Sequence, residues 1–213
     1  MILPYLYPIL DTALLDARQC QLETAAAAML DAGAKILQIR HKGHWTRVLF
    51  DQSTRVARLC EQSGATLIVN DRADIALLLG AGLHIGQDDL PPLEARRLLG
   101  AAPILGYSTH NAEQLAAAAG EPASYLALGP MFPTQSKINP DPVVGLDRLR
   151  AWRQLTALPL VAIGGITRLN ARRVLDAGAD SVAVIGDLVP ADASAASIAE
   201  RMKDWQRTIG PHE

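Results

Sequence analysis

The 213-residue chain is 49% apolar but only 4% aromatic, which predicts one aliphatic core and a single domain over residues 1–213. Its 20 basic and 22 acidic residues leave a formal charge of −2, which argues against nucleic acid or a membrane surface as main partner and makes any anion site local. No basic-then-apolar leader opens the chain, no run is long enough to cross a bilayer, and Cys20 and Cys60 form no CxxC pair, so reduced structural thiols and cytoplasmic residence are the default expectation.

In chain order, apolar runs of strand length alternate with longer helical stretches, most of which stop at glycine. A first strand over 6–10 ends at Asp11–Thr12, and a helix over 20–32 stops at Gly33. Strand 36–39 runs into Gln38–Ile39–Arg40–His41–Lys42, and helix 45–63 stops at Gly64. Strand 66–69 ends at Asn70–Asp71, before helix 73–79 and Gly80. Strand 83–85 ends in Gly86–Gln87–Asp88–Asp89, and helix 93–99 follows Pro91–Pro92. Strand 104–107 ends Ser108–Thr109–His110, with a helix over 112–119 behind it. Strand 125–128 ends Gly129–Pro130 and opens a loop over 131–142 that carries Thr134–Gln135–Ser136–Lys137, the longest non-periodic piece. Helix 146–155, strand 160–163 with Gly164–Gly165, helix 170–177, strand 182–185 with Gly186, and a last helix over 198–205 complete the order. The tail 208–213 is expected to fray.

Eight strand-then-helix units imply a parallel sheet, and eight of them imply an α/β protein of the closed (β/α)8 TIM-barrel class. An open doubly wound sheet is the alternative, but the G-x-G-x-x-G turn that would support it after the first strand is absent. In a barrel the C-terminal strand ends share one rim, which holds the active site. Polar residues and glycines cluster at those ends, so the chemistry converges in space although it is scattered along the chain.

Gln38, Arg40 and Lys42 alternate along one strand end and point the same way, which suits a polyphosphate; a solvated basic turn is the plain alternative. Asn70–Asp71 and Asp88–Asp89 offer hard oxygen ligands for Mg2+, although both acids precede helices, where a carboxylate commonly caps. His84 lies within a strand, where packing and hydrogen bonding are commoner than ligation, and His110 is ambiguous. Ser108 lacks a Ser/His/Asp arrangement or a G-x-S-x-G turn and reads as a hydrogen-bond donor. Gly164–Gly165 and Gly186 follow the seventh and eighth strands, the usual phosphate position of this fold; packing alone is the alternative. The rim thus holds one monophosphate-sized and one Mg2+–diphosphate-sized site. An enzyme joining a phosphorylated acceptor to a diphosphate-activated donor fits that pair.

The motifs QIRHK (38–42), VNDRADIAL (69–77), GLHIGQDDLP (82–91), GYSTH (106–110), LGPMFPTQSK (128–137), PVVGLDRL (142–149), VAIGGIT (161–167) and GADSVAVIG (178–186) resemble the thiamine phosphate synthase family over nearly the whole chain. The resemblance implies small-molecule substrates: 4-amino-5-hydroxymethyl-2-methylpyrimidine diphosphate as donor and 4-methyl-5-(2-hydroxyethyl)thiazole phosphate as acceptor. It assigns Gln38, Ile39, Arg40, His41, Lys42, Asn70, Ser108 and Lys137 to the pyrimidine diphosphate, with Arg40, Lys42 and Lys137 catalytic. Asp71 and Asp89 match the Mg2+ ligands, one ion per site. Thr134, Gln135, Ser136, Gly165, Ile185 and Gly186 match the thiazole phosphate contacts. Gly186 stands where the family often has serine, and Ser136 where threonine is usual. A thiazole tautomerase on the same barrel would not need the paired acids and basic cluster, and a non-catalytic sensor would need no reaction at all. The sequence leaves a homo-oligomer open.

Overall fold

The computed structural model describes residues 3–134 and 141–210. Eight parallel strands close in sequence order: β1 (Leu6–Asp11), β2 (Ile36–Arg40), β3 (Thr66–Asn70), β4 (Gly82–Ile85), β5 (Leu105–Thr109), β6 (Tyr125–Leu128), β7 (Leu160–Ile163) and β8 (Ser181–Val184), with β8 paired back to β1. Helices α1 (Thr12–Ala17), α2 (Leu22–Asp31), α3 (Arg47–Gln62), α4 (Ala73–Leu79), α5 (Pro92–Leu99), α6 (Ala112–Ala118), α7 (Gly145–Trp152), α8 (Ala171–Asp176) and α9 (Ala195–Ile209) alternate with the strands. The eight-unit barrel expected from the alternation is therefore the fold.

Period-two alternation divides each strand between two cores. In β1, Tyr7 and Ile9 point into the barrel, where they meet Ile36, Ile68, Tyr125, Ala127, Val161 and Ala183. Leu6 and Leu10 point outward and pack with the helices. Both faces are apolar, which is why the strands read as unbroken hydrophobic runs. Among the described residues, no helix is long and apolar enough to cross a membrane.

Most boundaries shift by one to three residues, and four differences have a clear local reason. The chain turns at Asp11 into α1, which the sequence reading missed; the Asp11 carboxylate accepts from Leu14 N at 3.0 Å and caps that short helix. Strand β5 runs on through Ser108 and Thr109, because the buried Thr109 hydroxyl is satisfied by the Ala127 carbonyl at 2.9 Å. Strand β8 ends at Val184, one residue early, and Ile185 opens a 3-10 turn over Gly186–Leu188. The tail expected to fray from residue 208 is helical through Ile209. Ile198, Met202, Trp205 and Ile209 repeat at intervals of three and four, and each is almost fully buried, worth about 1.5–3 kcal/mol apiece.

Candidate active site

The C-terminal strand ends surround a cavity of about 460 Å3. Gln38, Arg40 and Lys42 reach it from the β2 end, Asn70 and Asp71 from the β3 end, Asp88 and Asp89 from the loop after β4, and Ser108 from β5. Thr134 lines it after β6 and Ile185 after β8. The two other members of the expected pyrimidine diphosphate segment face elsewhere. Ile39 is fully buried among the helices, and the His41 ring accepts or shares a hydrogen bond with the Thr12 hydroxyl at 2.7 Å beside a smaller pocket. Gln135, Ser136 and Lys137 lie outside the described residues.

Charged groups on the β1–β4 side hold one another. Arg40 is ion-paired with Asp11, and Lys42 Nζ sits 2.5 Å from Asp71 Oδ2. Asp11, which in the sequence only ends the first strand, both caps α1 and pairs with Arg40. Asp71 and Asp89 do not cap: the N-cap positions of α4 and α5 are Arg72 and Pro91. Instead Asp89 Oδ2 accepts from Gly86 N at 2.7 Å, and its carboxyl lies close enough to Asp71 to feel its charge. Burial, then the Asp71 charge, raise the Asp89 pKa, against the pull of the Gly86 N–H and of Lys42. Two facing carboxylates beside a lysine form a donor set for a hard cation. Among the described residues no group of three or more His, Cys, Asp or Glu is placed around one metal, so any ion here would draw its other ligands from substrate or water. Asn70 Nδ2 is buried in the same wall with no partner among the described residues, a donor that a bound ligand would satisfy.

His84 lies deeper. Burial, with Lys42 adding and Asp89 opposing, lowers its pKa to about 4, so the imidazole is neutral at neutral pH. Its Nε2 lies 2.8 Å from Ser108 Oγ. The expectation of a packed, hydrogen-bonded histidine holds. His110 Nδ1 lies 2.8 Å from the Gly129 carbonyl and 3.5 Å from Asp141.

The β7–β8 side is made of backbone. Gly164 and Gly165 adopt φ of 97° and 64°. A Cβ on Gly164 would lie 2.6 Å from Pro130 Cβ, and one on Gly165 would lie 2.6 Å from the Pro133 carbonyl oxygen. Packing against residues 130–133 thus requires glycine at both positions, whether or not an anion binds. Gly186 has nothing within 4 Å of a notional Cβ. The carbonyls of Gly165 and Gly186 accept from Asn170 Nδ2 (3.1 Å) and an Arg18 guanidinium nitrogen (3.3 Å).

A closed parallel barrel with a charged cavity at its C-terminal rim has the architecture of the (β/α)8 enzymes, whose sites lie at that rim. Residues 6–188 match the sequence model of one such family, described as thiamine monophosphate synthase. A thiamine-phosphate synthase of Koribacter versatilis is 50% identical over 190 residues, covering 88% of this chain and 90% of its own. One from Chloroflexus aurantiacus is 42% identical over 188 residues, covering 88% and 86%. The solved thiamine phosphate pyrophosphorylase of Pyrococcus furiosus superposes with a TM-score of 0.81 at 28% identity, over 96% of this chain and 95% of its own. The chain belongs to the thiamine monophosphate synthase family and, like its named relatives, is an enzyme of the transferase class.

Proposed function

We propose that this enzyme joins 4-amino-5-hydroxymethyl-2-methylpyrimidine diphosphate to 4-methyl-5-(2-hydroxyethyl)thiazole phosphate, releasing pyrophosphate and forming thiamine phosphate. The observation that carries the reading is the pairing around one cavity of facing carboxylates, Asp71 and Asp89, with Arg40 and Lys42. A diphosphate with Mg2+ is the ligand that satisfies both signs of charge together.

Asp71 and Asp89 would hold one Mg2+, whose hard oxygen shell suits carboxylates, diphosphate and water. When bound, the ion neutralises charge on the diphosphate. Arg40 and Lys42 exchange their carboxylate partners for diphosphate oxygens and stabilise the charge that builds on departing pyrophosphate; Lys137 is assigned the same role from its motif. Gln38 and Asn70 orient the aminopyrimidine, with the orphan Asn70 Nδ2 finding its acceptor there. The electron-rich ring carries the resulting methylene cation, and the neutral thiazole nitrogen attacks it without a general base. That accounts for a cavity with no nucleophile–base dyad in use. Thr134, with Gln135 and Ser136, contacts the acceptor, whose phosphate meets the backbone at Gly165 and the Ile185–Gly186 turn. Free, buried thiols at Cys20 and Cys60 support a reducing, cytoplasmic setting.

The direct test is pyrophosphate release by the purified chain with both substrates and Mg2+. Release that needs both substrates and the metal is expected. No release, or release indifferent to the thiazole phosphate, would remove the assignment.

A further inference from the structure

Five polar side chains cross the inside of the barrel in one hydrogen-bonded row. Gln38 Nε2 donates to the Tyr7 hydroxyl at 2.9 Å. The Tyr7 and Tyr125 hydroxyls are 2.8 Å apart. Tyr125 Oη lies 2.9 Å from His84 Nδ1, and His84 Nε2 lies 2.8 Å from Ser108 Oγ at the cavity wall. The His84 and Tyr125 rings stack with centroids 5.6 Å apart. Gly106 of β5 leaves room for this row: a Cβ there would lie 2.3 Å from Tyr125 Oη and 2.5 Å from His84 Nδ1.

The row has a direction. Each hydroxyl and the neutral imidazole carries one proton to donate. Suppose Ser108 donated to His84 Nε2. Nδ1–H would then donate to Tyr125, and Tyr125 to Tyr7. Tyr7 would receive two donors, and its own proton would face no acceptor in a fully buried position. A buried donor without an acceptor is strongly disfavoured. The opposite order satisfies every group. Tyr7 donates to Tyr125, Tyr125 to Nδ1, and Nε2–H to Ser108 Oγ. The Ser108 proton is then left to point into the cavity.

We infer that Tyr7, Tyr125 and His84 are positioning residues that lock His84 as its Nε2–H tautomer and so leave the Ser108 proton free to donate into the cavity, favouring a ligand with an acceptor atom at that point. The inference rests on the reading of the cavity as the pyrimidine diphosphate site, for which that acceptor belongs to the bound donor substrate. A ligand presenting only an N–H there would leave the Ser108 proton without an acceptor and bind less well.

The tautomer is read in the ligand-free protein by nitrogen-15 NMR at neutral pH, with His84 signals identified by their loss in His84→Gln. A protonated Nε2 and a bare Nδ1 are expected; a protonated Nδ1, or an average of the two forms, overturns the inference. The functional arm is a double-mutant cycle. Tyr125→Phe raises KM for the pyrimidine diphosphate about tenfold, the loss of one well-made hydrogen bond, and leaves KM for thiazole phosphate unchanged. In a Ser108→Ala background the same change adds nothing, because it acts only through that hydroxyl. Additive losses, or an equal rise in both KM values, overturn the positioning role. Because the NMR arm needs no substrate, a wrong tautomer sinks this inference alone, whereas absence of pyrophosphate release sinks the synthase reading.

Discussion

At the ends of β2, β3 and β4 the rim is built of side chains; at the ends of β7 and β8 it is built of backbone. The first region has Arg40 on Asp11 and Lys42 on Asp71, pairs that already satisfy one another, with Asp89 left against the like charge of Asp71. A ligand must out-compete those internal partners, so affinity there depends on the charge that it brings. The second region has positive-φ glycines wedged against residues 130–133 and an open Gly186. Its shape is fixed before any ligand arrives. Removing a side chain should therefore cost function in the first region, and adding one should cost the fold, or little, in the second.

Breaking the first region has the largest effect. Asp71→Asn or Asp89→Asn lowers Mg2+-dependent pyrophosphate release about a thousandfold, the scale of one lost electrostatic clamp, with the circular dichroism spectrum unchanged. Full turnover in both variants would remove the metal from the rim. In the second region, Gly165→Ala lowers stability by about 1–3 kcal/mol, since both its backbone angle and its neighbours forbid a Cβ. An unchanged Tm would show that residues 130–133 yield. Arg40→Lys keeps the charge but loses the planar fork, and the KM for pyrimidine diphosphate rises roughly tenfold; a KM change for thiazole phosphate instead would move Arg40 to the other half.

Asp89 sharpens the comparison through stability. Its folded pKa is raised, so folding favours the protonated acid. That contribution is present below the ordinary carboxylate pKa and is lost as pH rises through the folded value. At neutral pH the charged Asp89 is thus a cost, and Asp89→Asn melts higher than the parent protein. The gap closes as pH falls through the carboxylate range; a gap independent of pH would show that charge is not its cause. The smallest effect belongs to Gly186→Ser. The added hydroxyl meets nothing within 4 Å, leaves Tm unchanged and lowers KM for thiazole phosphate a few-fold, by about one hydrogen bond. A raised KM would mean that the space is needed empty.

The barrel was legible because each strand and helix announces itself locally, by apolar runs and glycine stops. Gln38, Arg40, Lys42, Asn70, Asp71, Asp89 and Ser108 were legible as a group because the rim rule gathers strand ends. Asp11 was not: its pairing with Arg40 depends on β1 lying beside β2, a contact between residues 29 apart. Tyr7 and Tyr125 were not either, since an aromatic residue within an apolar strand looks like core until its hydroxyl partner, 118 residues away, is seen. Ile39 and His41 were swept in by their neighbours, although alternation along β2 turns their side chains away from the cavity. At Gly164 and Gly165 the sequence could not weigh packing against phosphate binding, and packing alone already requires glycine there.

Asp71 has a φ of 65°, in the left-handed region, while its N–H donates to the His84 carbonyl at 2.8 Å. Asparagine, aspartate and glycine tolerate that backbone; most other residues do not. A glutamate would bring the same charge and a longer reach, yet would enter a conformation that resists it. The accessible substitutions at residue 71 are then set by the main chain before chemistry is consulted. Drift at this position can silence the carboxylate through asparagine or glycine far more readily than it can replace it with another acid.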